Sequence, residues 1–114
     1  MINILKTMEA NTNSELTKEV ISIILDEAGK SDEEIIAYLE NVTTYGCVDG
    51  TVSSLIYYGD TGPFFDRHAD ECLEIANNYI DMYDGKVTFE LTKNNLAWLA
   101  FEIVAGNILS ILSE

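Results

Sequence analysis

The chain has 114 residues, 47% of them apolar, and carries twenty Asp and Glu against six Lys and Arg for a net charge of −14. That length and apolar fraction suit one folded domain with a core of its own and exclude a disordered tail. The charge repels nucleic acid and anionic membranes as direct ligands and steers the chain toward basic partners, while a single His68 beside two cysteines, Cys47 and Cys72, leaves too few N and S ligands for a structural zinc site.

The opening segment MINILKTMEANTNSE lacks the basic start, apolar run and small-residue cleavage site of a secretory signal. The expectation is a cytoplasmic, thiol-reducing setting in which both cysteines are small core residues. Thr12 and Glu15 then have capping-box spacing, and Leu16, Val20, Ile23 and Ile24 recur on one helical face, predicting a helix that Gly29 ends. Ser31 and Glu34 repeat the capping pattern and open a second helix through Ile35, Ile36 and Leu39 to about Val42. The segment YGCVDG, Tyr45 to Gly50, reads as a turn. Asp49 then caps a short helix carrying Val52, Leu55 and Ile56 and stopped by Gly59, although the β-branched and aromatic content of TVSSLIYY also permits a strand.

Pro63, the only proline, marks the first position of a longer helix with Gly62 or Thr61 as its cap. From there Phe65, Ala69, Cys72, Ala76, Tyr79, Ile80 and Tyr83 fall at steps of three and four, predicting a helix of about twenty residues closed by Gly85. KVTFEL, Lys86 to Leu91, is too isolated to build a sheet and reads as an extended connector or a minor β element. Thr92 caps the last helix, and LAWLAFEIVAGNILSIL from Leu96 to Leu112 is apolar nearly all round. A span needs roughly 20 apolar residues and tolerates a central charge poorly, so Glu102 and Asn107 favour a buried helix. The fold expected is mainly α: a single-domain bundle, residues 1–114, of about five helices around the C-terminal one.

Chemistry-bearing patterns are sparse. His68 and Cys72, four apart near Asp60, Asp66, Asp70 and Glu71, could form a metal or acid/base site. The plainer reading puts Cys72 in the core and leaves His68 and the carboxylates to water or to the turn, and it is preferred because no second histidine or ligand-spacing motif accompanies them. Nucleophile elbows, GxGxxG and Walker patterns are absent. No catalytic residue, metal or cofactor is therefore assigned. Tyr57, Tyr58 and Asp60 form either a polar, aromatic binding edge or a structural corner. Trp98 and Phe101 belong to the core.

The acids are unevenly spread: seven between residues 59 and 84 accompany only Arg67. Asp66, Asp70 and Glu74 follow one another at steps of four, a spacing that stacks like charges on one helical face. Asp32, Glu33 and Glu34 cluster where the helix dipole favours them. A duplex presents one charge per roughly 1.7 Å, far denser than this run, so any nucleic-acid mimicry is confined to a local patch filling a basic groove, where arginines grip individual carboxylates.

The block GCVDGTVSSLIYYGDTGPFFDRHADECLE, followed by LAWLAFE, resembles a family of small bacteriophage and prophage proteins. The resemblance rests on Gly46, Cys47, Tyr57, Tyr58, Asp60, Thr61, Phe64, Phe65, Asp66, Asp70 and Glu71, with Trp98, Phe101 and Glu102 later, and covers roughly the second half of the chain. It implies a phage or mobile-element origin and an inhibitor of host defence, including the anti-CRISPR kind, acting in the bacterial cytoplasm on a basic host protein such as a CRISPR effector subunit. Under that expectation Asp66, Asp70, Glu71 and Glu74 contact the partner, with Asp32, Glu33 and Glu34 as a second patch. The alternative is a phage accessory or adaptor protein that oligomerises through exposed Tyr57, Tyr58 and Phe64.

Overall fold

The computed structural model describes residues 1–45, 61–82, 84–85 and 90–114. Six helices form among them: α1 (Ile2–Asn11), α2 (Glu15–Glu27), α3 (Asp32–Tyr45), α4 (Thr61–Arg67), α5 (Ala69–Met82) and α6 (Lys93–Leu112). The helix expected at 49–59 and most of the 86–91 connector lie outside the described residues. The mainly α bundle built on the apolar C-terminal helix is as the sequence predicts: α6 packs against α3, α4, α5 and, less extensively, α2, while α1 lies on α2. Length and hydropathy alone would also suit α6 to a membrane span; in the bundle its Leu96, Trp98, Leu99, Phe101, Val104 and Ile108 are buried.

Helix α1 was not expected, because nothing caps its start and no acid stands in its first turn. Its reason is packing: Leu5 is fully buried, and Ile2 and Met8, three residues to either side, press on the core. Thr12, expected to open the next helix, instead ends α1, donating its N–H to the Met8 carbonyl at 3.0 Å. The cap of α2 is Ser14, whose hydroxyl accepts from Thr17 N–H at 3.0 Å. On α2 Ile21 is fully buried and Ile23 only partly so, a rotation of the stripe consistent with the shifted start.

Other signals read from the sequence form as expected. Ser31 and Glu34 make a reciprocal capping box, with Glu34 N–H donating to Ser31 Oγ at 3.1 Å and Ser31 N–H to Glu34 Oε1 at 3.2 Å. The backbone bond from Ser31, then its hydroxyl, holds the Glu34 carboxyl below its ordinary value. Thr92 Oγ1 accepts from Asn95 N–H at 3.1 Å and caps α6. Gly85, at φ +77°, closes α5 by donating to the Ile80 carbonyl at 2.8 Å.

The expected twenty-residue helix is divided at His68 into α4 and α5. The His68 N–H is shared between the carbonyls of Phe64 at 3.2 Å and Phe65 at 3.0 Å, and Cys72 N–H still reaches the His68 carbonyl at 2.9 Å, so the chain tightens by part of a turn without unravelling. Adjacent side chains on a helix diverge by about 100°, yet Phe64 and Phe65 are both buried. The short α4 meets that demand with its own orientation against α6. Phe64, expected as an exposed oligomer contact, is fully buried and edge-on to His68 with ring centroids 5.1 Å apart. Pro63 sits in the first turn of α4, where its missing N–H costs no helical bond.

Two glycines make opposite predictions. Gly29 follows α2 at φ +95°, where a Cβ is strained and would also press on the Glu34 carboxylate that caps α3; Gly29→Ala should destabilise by about 1–2 kcal/mol. Gly106 lies inside α6 in ordinary helical geometry, and a Cβ there would meet Thr43 Cγ2 at an unstrained 3.6 Å. Gly106→Ala should stabilise by about 0.5–1 kcal/mol. Urea denaturation of the two variants measures both, and a shift of the same sign in both would contradict this assignment.

Candidate partner-binding surface

Helix α5 presents a clean division of faces. Cys72 and Ala76 face the core. At about 100° per residue, Asp70, Glu74 and Asp81 fall within a sector about 40° wide on the opposite side, and all three are exposed along with Asn77 between them. None of the three carboxylates has an ion-pair partner among the described residues. The stripe runs about 16 Å along the helix axis. Asp81, its third member, was not singled out from the sequence, although its spacing from Glu74 and Asn77 places it there.

The remaining acids expected at the partner surface divide by what they touch. Asp66 is exposed but pairs with Lys93 Nζ at 3.0 Å. Asp32 pairs with the Met1 amine at 3.1 Å, Glu33 is exposed and unpaired among the described residues, and Glu34 is engaged in its capping box. Tyr57, Tyr58 and Asp60 lie outside the described residues.

Glu71 departs from its expected outward role. Its carboxylate is half-buried and turned onto the start of α2, accepting from Leu16 N–H at 3.2 Å and from the Ser14 hydroxyl. The first N–H groups of a helix have no partner within it, so an ionised carboxylate there satisfies a free donor and meets the positive end of the dipole. A side chain from α5 thus caps a donor that α2 leaves free.

A second carboxylate, Glu19 on α2, was not picked out from the sequence and ties α2 to α4. Arg67 grips it in two-pronged fashion, Nε to Oε1 at 2.9 Å and Nη2 to Oε2 at 2.6 Å, and His68 Nε2 lies 3.2 Å from Oε1. Burial works to raise the Glu19 carboxyl, but the hydrogen bonds from Arg67 and His68, with the guanidinium charge, outweigh it and hold it below its ordinary 4.5. An ionised carboxylate only accepts, so His68 Nε2 carries the hydrogen of that contact.

This geometry corrects the expectation that His68 faces water. The residue is 8% exposed, its Nδ1 has neither solvent contact nor a hydrogen-bond partner among the described residues, and its Nε2 is engaged by Glu19. His68 lines, together with Glu9, Lys18, Glu19 and Arg67, a depression of about 890 Å³. Burial, and then the Glu71 charge, push the Cys72 thiol up to about 11, which leaves it protonated and unreactive at neutral pH. Among the described residues no three His, Cys, Asp or Glu side chains converge as metal ligands.

Because the Glu19 carboxyl is held low in the fold, its stabilising contribution is present above its ordinary value and disappears as pH falls through the lowered one. Glu19→Gln should therefore cost about 1–2 kcal/mol at pH 7, with the gap to wild type closing on strong acidification. Urea titrations at neutral and acid pH check this; a gap independent of pH would place the Glu19 effect outside its charge.

No curated protein and no solved structure matches the chain. Residues 6–114 match a single domain family from the middle of α1 to the C-terminal residue. The chain belongs to the DUF7222 family, a domain of unknown function.

Proposed function

We propose that this domain works by binding and not by catalysis, as a phage-type anti-defence inhibitor of the anti-CRISPR kind that occupies a basic, nucleic-acid-binding groove of a host effector. The observation that carries the reading is the stripe of Asp70, Glu74 and Asp81, three exposed carboxylates without a neutralising partner among the described residues, on a helix whose other face is fixed in the core. A rigid row of anions needs little reorganisation to meet arginines spaced for a phosphate backbone. Charge complementarity of this sort raises the encounter rate and selects partners by sign.

Three points narrow the contact set. Glu71 and Glu34 are committed to helix caps, so Asp70, Glu74 and Asp81 take the central role, with Asp66 beside them once Lys93 is displaced or shared. The burial of His68, with only Nε2 engaged, by Glu19, and the protonated state of Cys72 support binding over the acid/base reading. The accessory or adaptor alternative loses Phe64, one of its three contacts, to the core.

The test is infection of bacteria with active CRISPR immunity by a targeted phage, with the domain expressed inside the cells. Wild type should restore phage plating, and Asp70→Lys/Glu74→Lys/Asp81→Lys should remove that protection while keeping helical circular dichroism. Affinity for the captured effector should fall at least about tenfold in the triple variant and weaken with salt. Unchanged protection by the folded triple variant, or none by wild type against any CRISPR type tried, would refute the proposal.

A further inference from the structure

A second surface, on a different side of the bundle, has a different composition. Helices α3 and α5 each pack on α6 without forming a substantial interface with one another. Between α3 and the start of α1 lies a shallow depression of about 430 Å³, lined by Met1, Asp32, Glu33, Ile36, Ala37 and Glu40. Ile36 and Met1 are half-buried and Ala37 is exposed, giving an apolar floor, while Asp32, Glu33 and Glu40 stand exposed around it. Glu33 and Glu40 have no ion-pair partner among the described residues. The dipole explains acids in the first turn of α3, but its influence fades after that turn and does not account for Glu40.

We infer that this depression docks a basic amphipathic helix of a partner protein, an apolar side chain entering over Ile36 and Ala37 and lysines or arginines meeting Glu33 and Glu40. The inference rests on the partner-binding reading above and assigns it a second contact on a separate face. Charge decides the class of occupant. An acidic rim repels lipid headgroups and nucleic acid, and a second copy of a chain with net charge −14 would bring mostly like charge to it.

Spacing decides the shape. Glu33, Ile36, Ala37 and Glu40 follow one another at i, i+3, i+4 and i+7, a ridge about 10 Å long. A partner helix repeats anchors at the same steps, which is how amphipathic helices read apolar grooves. An extended strand gains most from an open sheet edge, and a helix such as α3 offers none.

The probe is a synthetic helix-forming peptide of about 18 residues with leucines on one face and lysines on the other, compared with a scrambled peptide of identical composition. Binding is read by fluorescence anisotropy, and its location by amide chemical shifts of the ¹⁵N-labelled protein. The patterned peptide should bind more tightly than the scrambled one and shift residues around 33–40. Ala37→Arg, which fills the floor at an exposed position, and Glu33→Gln/Glu40→Gln should each weaken it at least about tenfold. The triple lysine variant of α5 should bind it within about twofold of wild type, since the charge it reverses is distant and screened by salt. Equal affinity for both peptides, no binding of either, or shifts confined to α5 with Ala37→Arg unchanged would overturn the inference. The phage-plating test of the α5 stripe is scored separately, so failure of one surface is distinguishable from failure of the other.

Discussion

A helix as apolar as α6 must be covered over most of its surface, and that sets the constraint on the rest of the bundle. Trp98, Leu99 and Phe101 alone place side chains around much of its circumference, and leaving them in water would cost more than any surface interaction in this molecule returns. The bundle answers by laying α3, α4 and α5 against α6, each with its apolar stripe inward. The acids of those helices are thereby pushed to the opposite side. The position of the acidic stripe on α5 is a consequence of burying Cys72 and Ala76 against the core.

Helix α2 meets α6 less extensively than the other three, and its attachment is supplemented by charge. Glu71 reaches from α5 to its first turn, and Glu19 reaches from its middle to Arg67 and His68. Glu71 and Glu19 therefore act as internal ties held by hydrogen bonds. Acids held this way cannot also grip a partner without loosening the bundle. That distinction separates Glu71 from its neighbours Asp70 and Glu74, although all three stand within five residues of one another.

What the sequence disclosed follows the range over which its signals act. Capping at Ser31 and Glu34, the stop at Gly85, the Thr92 cap and the burial of the last helix are local or compositional, and each is present. Helix α1 escaped notice because its only warrant is tertiary: Leu5, Ile2 and Met8 are a weak stripe until α2 lies against them. The break at His68 was hidden because Phe65, Ala69, Cys72 and Ala76 keep helical spacing through it, while the burial of Phe64 depends on α6. The pairings of Glu19 with Arg67 and of Glu71 with Ser14 join residues 48 and 57 positions apart, and no periodicity encodes them. Asp70 and Glu74 were legible as outward acids by the same rule that misplaced Glu71: helical angle sorts faces, but it does not say which neighbour lies across a flank.

The proposed function requires that the stripe of α5 compete with a nucleic-acid backbone for one basic groove. The most direct measurement is displacement of a labelled guide or target strand from the captured effector by this protein, followed across a range of salt concentrations. Competitive displacement that weakens steadily as salt rises is the predicted result. Inhibition that leaves the strand bound, or displacement indifferent to salt, would contradict it.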